Sequence, residues 1–72
     1  RATDQLLQAR RDAAGDPKLL AVSAFKLGAL YEHAREYRRA IDYYEEHIEL
    51  GGAHSAKARS RIRHIYEHAF EE

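Results

Sequence analysis

Seventy-two residues make one small domain, residues 1 to 72, and a chain this short buries only about 60% of the surface it exposes when unfolded. With 44% hydrophobic and 33% charged residues the composition is that of a helical globular domain and argues against intrinsic disorder. Cysteine is absent, which excludes disulfides and thiolate metal sites, and the 12 basic residues balance the 12 acidic ones, so the chain as a whole attracts neither nucleic acid nor an acidic surface. Apolar runs are only a few residues long, so no segment could cross a bilayer, and no membrane partner is expected. No methionine occurs anywhere, which fits an excised, processed or designed segment.

There is no run of period-two alternation and few residues are β-branched, so an all-α fold is expected. Punctuation divides the chain into four helices, at residues 4–14, 17–34, 37–50 and 54–70. Thr3 or Asp4 would cap the first, and Gly15 would stop it in a left-handed conformation. Asp16-Pro17 opens the second with the strongest start signal in the chain. The aspartate accepts orphan backbone N–H groups, and the proline has a preset φ and no N–H to leave unsatisfied. Arg35-Glu36 makes a tight connection to the third helix, whose stripe Tyr37, Ala40, Ile41, Tyr44 and Ile48 follows helical spacing. Gly51-Gly52 ends that helix. The fourth carries Ala58, Ile62, Ile65, Tyr66 and Ala69 on one side. Connections this short make successive helices antiparallel neighbours.

The segment Leu27-Gly-Ala-Leu-Tyr-Glu-His-Ala34 returns as Ile62-Arg-His-Ile-Tyr-Glu-His-Ala69, an offset of 35 residues. A helix-turn-helix unit recurring after about 34 residues is the signature of a repeat array, in which neighbouring units bury each other's apolar faces. Such arrays present surfaces and rarely perform chemistry. Residues 21–54 resemble a tetratricopeptide repeat: Leu27-Gly28-x2-Tyr31 matches the first helix of that family's pattern, and Ala40-x3-Tyr44 matches the second with an aromatic exchange. The small Gly28 and Ala40 would let two helices approach while Tyr31 and Tyr44 fill the space beside them. Departures are Ala24 in place of a bulky aromatic, His47 in place of a small residue, Gly52 in place of proline, and Arg35 where glycine is commoner. The stretch from Tyr37-x2-Ala40 through Ala56-Lys-Ala-Arg-x2-Ile62-Arg also resembles the microtubule-interacting and trafficking domain, a three-helix bundle that grips amphipathic helices. Arg59 and Arg63 occupy the positions that match Ala24 and Gly28, so the fourth helix is expected to act as a solvated end cap.

His64-Ile-Tyr-Glu67-His68 spells the inverted zinc-peptidase motif, and two histidines one turn apart can share a metal. Repetition explains most of that string, because Tyr-Glu-His-Ala already stands in the other copy, where Ala29 replaces the first histidine. No third ligand is evident either, so neither a catalytic site nor a cofactor is expected and the protein is not expected to be an enzyme. His47 shares an arc with Ala40 and Tyr43 and is expected to pack against a neighbouring helix, with one ring nitrogen satisfied. Asp42, Glu45, Glu46 and Glu49 line the third helix, Lys57, Arg59, Arg61 and Arg63 line the fourth, and salt bridges between the two sets would offset their unfavourable placement against the helix dipoles.

Lys57, Arg61, His64 and His68 form one stripe on the fourth helix, and Val22, Lys26, Ala29 and His33 are their counterparts on the second. The tetratricopeptide resemblance implies that these residues line an inner groove where peptides lie, with Phe25 offering an apolar contact at its edge. Lys57-x3-Arg61 resembles half of a carboxylate clamp, but the asparagines that complete one are missing. The expected function is a non-catalytic protein-interaction module for an acidic peptide or partner segment. The alternatives are a structural or self-associating scaffold, in which the open edge at the first helix could form a homodimer, and a binder of amphipathic helices. Nucleic acid is not an expected partner, because an acidic face opposes it.

Overall fold

The structure is a computed structural model that describes residues 2–12 and 14–69. The described residues are all-α and form four helices in chain order: α1 (Ala2–Asp12), α2 (Pro17–His33), α3 (Tyr37–Glu49) and α4 (Ser55–His68). Each helix packs chiefly on its chain neighbours, α1 on α2, α2 on α3 and α3 on α4. No helix among the described residues is long and apolar enough to cross a membrane. The expected ends at residues 14 and 70 are not both testable, since residue 70 lies outside the described residues. Ala14, by contrast, is already in a turn.

Asp16 performs the capping its sequence context promises. Its extended backbone (φ −122°, ψ 100°) lets the carboxylate accept from Lys18 N at 3.0 Å and Leu19 N at 3.3 Å. Two other expectations at the start of the chain are corrected. Thr3 and Asp4 lie inside α1 and do not cap it, though Asp4 still occupies the first turn, where the dipole favours an acid. Gly15 is not left-handed, for among the described residues only Arg35 and Gly51 have positive φ. The change of direction falls on Asp16 instead, because the residue before a proline is forced into an extended conformation.

Helices α2 and α3 end by the same device. After α2, Glu36 N donates to Tyr31 O at 2.8 Å and Arg35 N to Glu32 O at 3.0 Å, and after α3, Gly52 N donates to His47 O at 2.9 Å and Gly51 N to Ile48 O at 3.0 Å. This pair of bonds requires a left-handed residue, Arg35 at φ 64° in one corner and Gly51 at φ 72° in the other. Glycine adopts that conformation without a Cβ penalty and arginine does not.

The core is built from Ala21, Ala24 and Leu27 of α2, Ala40, Ile41 and Tyr44 of α3, and Ala58 and Ile65 of α4. Four of the eight are alanines, so the backbones approach closely, while the larger residues contribute most, about 1.5–3 kcal/mol for a fully buried Leu or Ile. The small residue Gly28 faces the ring of Tyr44: a Cβ there would lie 2.8 Å from Tyr44 Cδ1, closer than packing allows. Tyr66 departs from the expected stripe of α4. With Ala58 and Ile65 turned into the core, it is carried round the helix and remains 58% exposed, beside Arg38, Ile41 and Asp42.

His47 is 1% exposed, and both of its ring nitrogens are satisfied. Nδ1 lies 2.6 Å from the Ala21 carbonyl, an acceptor, and His54 N–H donates to Nε2 at 3.1 Å. One neutral tautomer meets both partners, with the proton on Nδ1. His47 therefore links α2 to the start of α4. Gly52 makes room for it, since a Cβ at that residue would fall 2.1 Å from His47 Cε1. Glycine stands at residue 52 because the imidazole occupies the space of any side chain.

Helix α1 has no fully buried side chain among its described residues and is held by Arg10. Arg10 Nη1 donates to Leu20 O at 3.2 Å and Ser23 Oγ at 3.1 Å, while Nη2 pairs with Glu46 of α3. Its guanidinium also lies 5.4 Å from the centre of the Tyr43 ring, which stacks on Tyr31 at 5.6 Å and an interplanar angle of 7°. Arg39 covers the other face of that stack, 5.8 Å from the centre of Tyr31. The salt bridges expected between α3 and α4 do not form among the described residues: Glu46 pairs with Arg10, and Arg61 crosses to α2. The physical reason is the packing of α4, which turns Arg61 toward Glu32 and away from the acidic face of α3.

Candidate functional site

Three helices meet around Glu32. Gly28, one turn earlier on α2, leaves room for the Tyr44 ring, and the Tyr44 hydroxyl donates to Glu32 Oε1 at 2.8 Å. From α4, Arg61 Nε donates to the same oxygen at 3.1 Å and Nη2 pairs with Oε2, so the carboxylate is gripped by a bidentate fork. Burial pushes the Glu32 carboxyl up, but the hydrogen bonds from Arg61 and Tyr44, with the charges of Arg61 and His64, outweigh it and hold the group below its ordinary value. The Arg61 guanidinium is held above its ordinary value by its hydrogen bond to Glu32. Burial and the Glu32 hydrogen bond push the Tyr44 phenol well above 10. The cluster is thus a fixed ion pair with a neutral phenol donor, and it has no net charge.

Over this cluster lies an open depression of about 600 Å³ between α2 and α4, lined by Phe25, Ala29, Glu32, His33, Arg35, Tyr37, Tyr44, Lys57 and Arg61. Lys57, His33 and Arg35 are exposed around it. Phe25 is half-buried and meets three rings: Tyr44 edge-on at 5.5 Å, His47 at 5.1 Å and His54 at 5.2 Å. It presents a wall whose position is set by its neighbours.

Of the residues expected to line a groove, Phe25, Ala29, His33, Lys57 and Arg61 border this depression. His64 and His68 border a smaller neighbouring one of about 140 Å³ that shares Glu32 and Tyr37. Val22 borders a different depression with Pro17 and Leu50, at the other end of α2. Lys26 is exposed on α2 and borders none of these. Arg61, read from sequence as the central cation of the stripe, is committed to Glu32. Sequence reasoning missed Glu32, Arg35, Tyr37 and Tyr44 as groove residues. The available signal was Glu32 itself, a carboxylate one turn after Gly28 on a helix with much buried surface.

The described residues contain no group of three or more histidine, aspartate or glutamate side chains placed to hold a metal ion. Compared with protein-family models, with curated proteins and with solved structures, the chain matches none.

Proposed function

We propose that this chain is a non-catalytic protein-interaction module that takes an acidic segment with one apolar anchor into the depression between α2 and α4. The observation that carries this reading is the division of labour in the groove. Glu32 and Arg61 neutralise each other in its floor, while Lys57 and Arg35 are exposed around it and Phe25 and Tyr37 supply apolar wall. Rim cations speed encounter with an acidic chain, and an apolar side chain seated against Phe25 would lengthen the complex's lifetime. Affinity should be modest, because few side chains contribute and a flexible ligand loses entropy on binding. The resemblance of residues 21–54 to a tetratricopeptide repeat supports the same reading.

Lys57 tests it better than Arg61, since reversing Arg61 would place a second carboxylate beside Glu32 and disturb the fold. A fluorescent peptide with several glutamates around a central leucine serves as the probe. Lys57→Glu should weaken its binding by about tenfold, an effect that shrinks with added salt, while Arg59→Glu, exposed and away from the depression, should leave binding nearly unchanged. Equal losses in the two variants would mean diffuse attraction without a groove, and failure of the parent to bind would remove the proposal.

A second reading, a self-associating scaffold, is favoured by Leu19 and Val22, which lie one turn apart on α2 and are 54% and 49% exposed. Sedimentation velocity over a range of concentrations tests it, and a monomer at every concentration would contradict it.

A further inference from the structure

We propose that His64 and His68 form a two-point chelate for a borderline divalent transition-metal ion such as Ni²⁺, Cu²⁺ or Zn²⁺. The two histidines stand on consecutive turns of α4, both exposed, with ring centres 4.5 Å apart and planes tilted by 42°. That is close enough for a nitrogen from each ring to reach one ion. Among the described residues neither ring makes a hydrogen bond. His47 differs in this respect, both of its nitrogens being occupied.

The surroundings favour a cation and restrict its type. His68 lies in the last turn of α4, where the backbone dipole favours positive charge. Glu32, on the wall of the same small depression, adds negative charge nearby, but its oxygens are held by Arg61 and Tyr44, so it is not available as a third ligand. Imidazole pairs suit Ni²⁺, Cu²⁺ and Zn²⁺, whereas Mg²⁺ and Ca²⁺ require oxygen ligands that the pair does not supply. Two protein ligands leave the remaining coordination positions to water, so this is an open, exchangeable site and not a closed structural one. Bound ion would tie two turns of α4 together and stabilise that helix near its end. The site stands apart from the peptide reading and does not depend on it.

The test uses the full chain without an affinity tag, titrated with NiCl₂ and ZnCl₂ by calorimetry and followed by thermal unfolding. At an ion concentration about a hundred times the dissociation constant, the unfolding midpoint should rise by roughly 10–20 °C. His64→Ala and His68→Ala should each lower affinity by at least the ~10-fold that loss of even a supporting group costs a metal site. His33→Ala, which removes an exposed histidine with no histidine one turn away, should bind as the parent does, and MgCl₂ should have no effect. All three side chains are exposed, so circular dichroism without metal should show each variant folded. No binding of either ion to the parent would overturn the proposal. So would equal affinity in the His64→Ala, His68→Ala and parent chains, or a loss in His33→Ala as large as in the other two.

Discussion

The tetrapeptide Tyr-Glu-His-Ala occurs twice, at residues 31–34 and 66–69, and the two copies live in different surroundings. In the first, Tyr31 stacks on Tyr43, and Glu32 takes hydrogen bonds from Tyr44 and Arg61. In the second, Tyr66 is 58% exposed, Glu67 is exposed, and the exposed His68 meets the ring of His64. The local sequence is identical, so the difference comes from packing. Helix α2 is covered by α1 and α3 and reached by Arg61 of α4, whereas the described residues place only α3 firmly against α4. A repeated motif specifies a helix with the same chemistry at the same spacing. What that chemistry does depends on which helices lie on either side.

The largest expected contrast is at the residue one turn before each glutamate, glycine in the first copy and arginine in the second. Gly28→Leu must displace the Tyr44 ring, since even a Cβ there would lie 2.8 Å from it, and should destabilise the fold by about 1–3 kcal/mol. Its counterpart Arg63 is exposed, so Arg63→Leu should change stability by no more than ~0.5 kcal/mol. Urea unfolding of the two variants measures both, and equal effects would contradict the packing of Tyr44 on Gly28.

Next come the two glutamates. Glu32→Ala leaves the Tyr44 hydroxyl and the Arg61 fork without their acceptor and should cost about 1–2 kcal/mol, a figure reduced for the partial exposure of Arg61. Glu67→Ala, on the exposed copy, should lie within ~0.5 kcal/mol of the parent. The same pair separates by pH. Because the folded Glu32 carboxyl lies below its ordinary value of 4.5, its contribution is fully present above that value and is lost as pH falls through the folded value. Glu32→Gln should therefore flatten the acid limb of the stability profile below about pH 4.5, while Glu67→Gln should not. Parallel acid limbs in the parent and Glu32→Gln would show that the ion pair does not stabilise the fold.

The smallest effect is expected in the corner after the first copy. Arg35 occupies a left-handed position that Gly51 fills in the following corner. Arg35→Gly should stabilise the protein by about 0.5–1 kcal/mol, the relief of the Cβ penalty outweighing the added freedom of the unfolded chain. A destabilised variant would mean that the Arg35 side chain contributes more than its backbone conformation costs.

The helices were legible in the sequence because their signals are local. Asp16-Pro17 and Gly51 act through their own backbone geometry, and the stripe Ala40, Ile41, Tyr44 is a matter of helical spacing. The burial of His47 was legible for the same reason. Its second hydrogen bond was not, because His54 comes from the next connection. The site was legible only in part. Lys57, His33 and Phe25 follow from the phase of their helices, but Glu32 and Arg61 are 29 residues apart, and which acid meets which base depends on the rotation of α4 about its axis. Sequence spacing suggested the acids of α3 as partners for that arginine. Arg10 was invisible for a similar reason: nothing in α1 indicates that one arginine will reach both α2 and α3.

The central proposal is that the organised copy, and not the exposed one, forms the peptide-binding surface. Two-dimensional NMR of the labelled protein, titrated with the glutamate-rich peptide bearing a central leucine, tests it most directly. The account predicts that chemical-shift changes concentrate at Phe25, Ala29, His33, Arg35 and Lys57, around the depression between α2 and α4. Changes concentrated instead at Arg38, Asp42 and Tyr66, on the opposite side of α4, would contradict it.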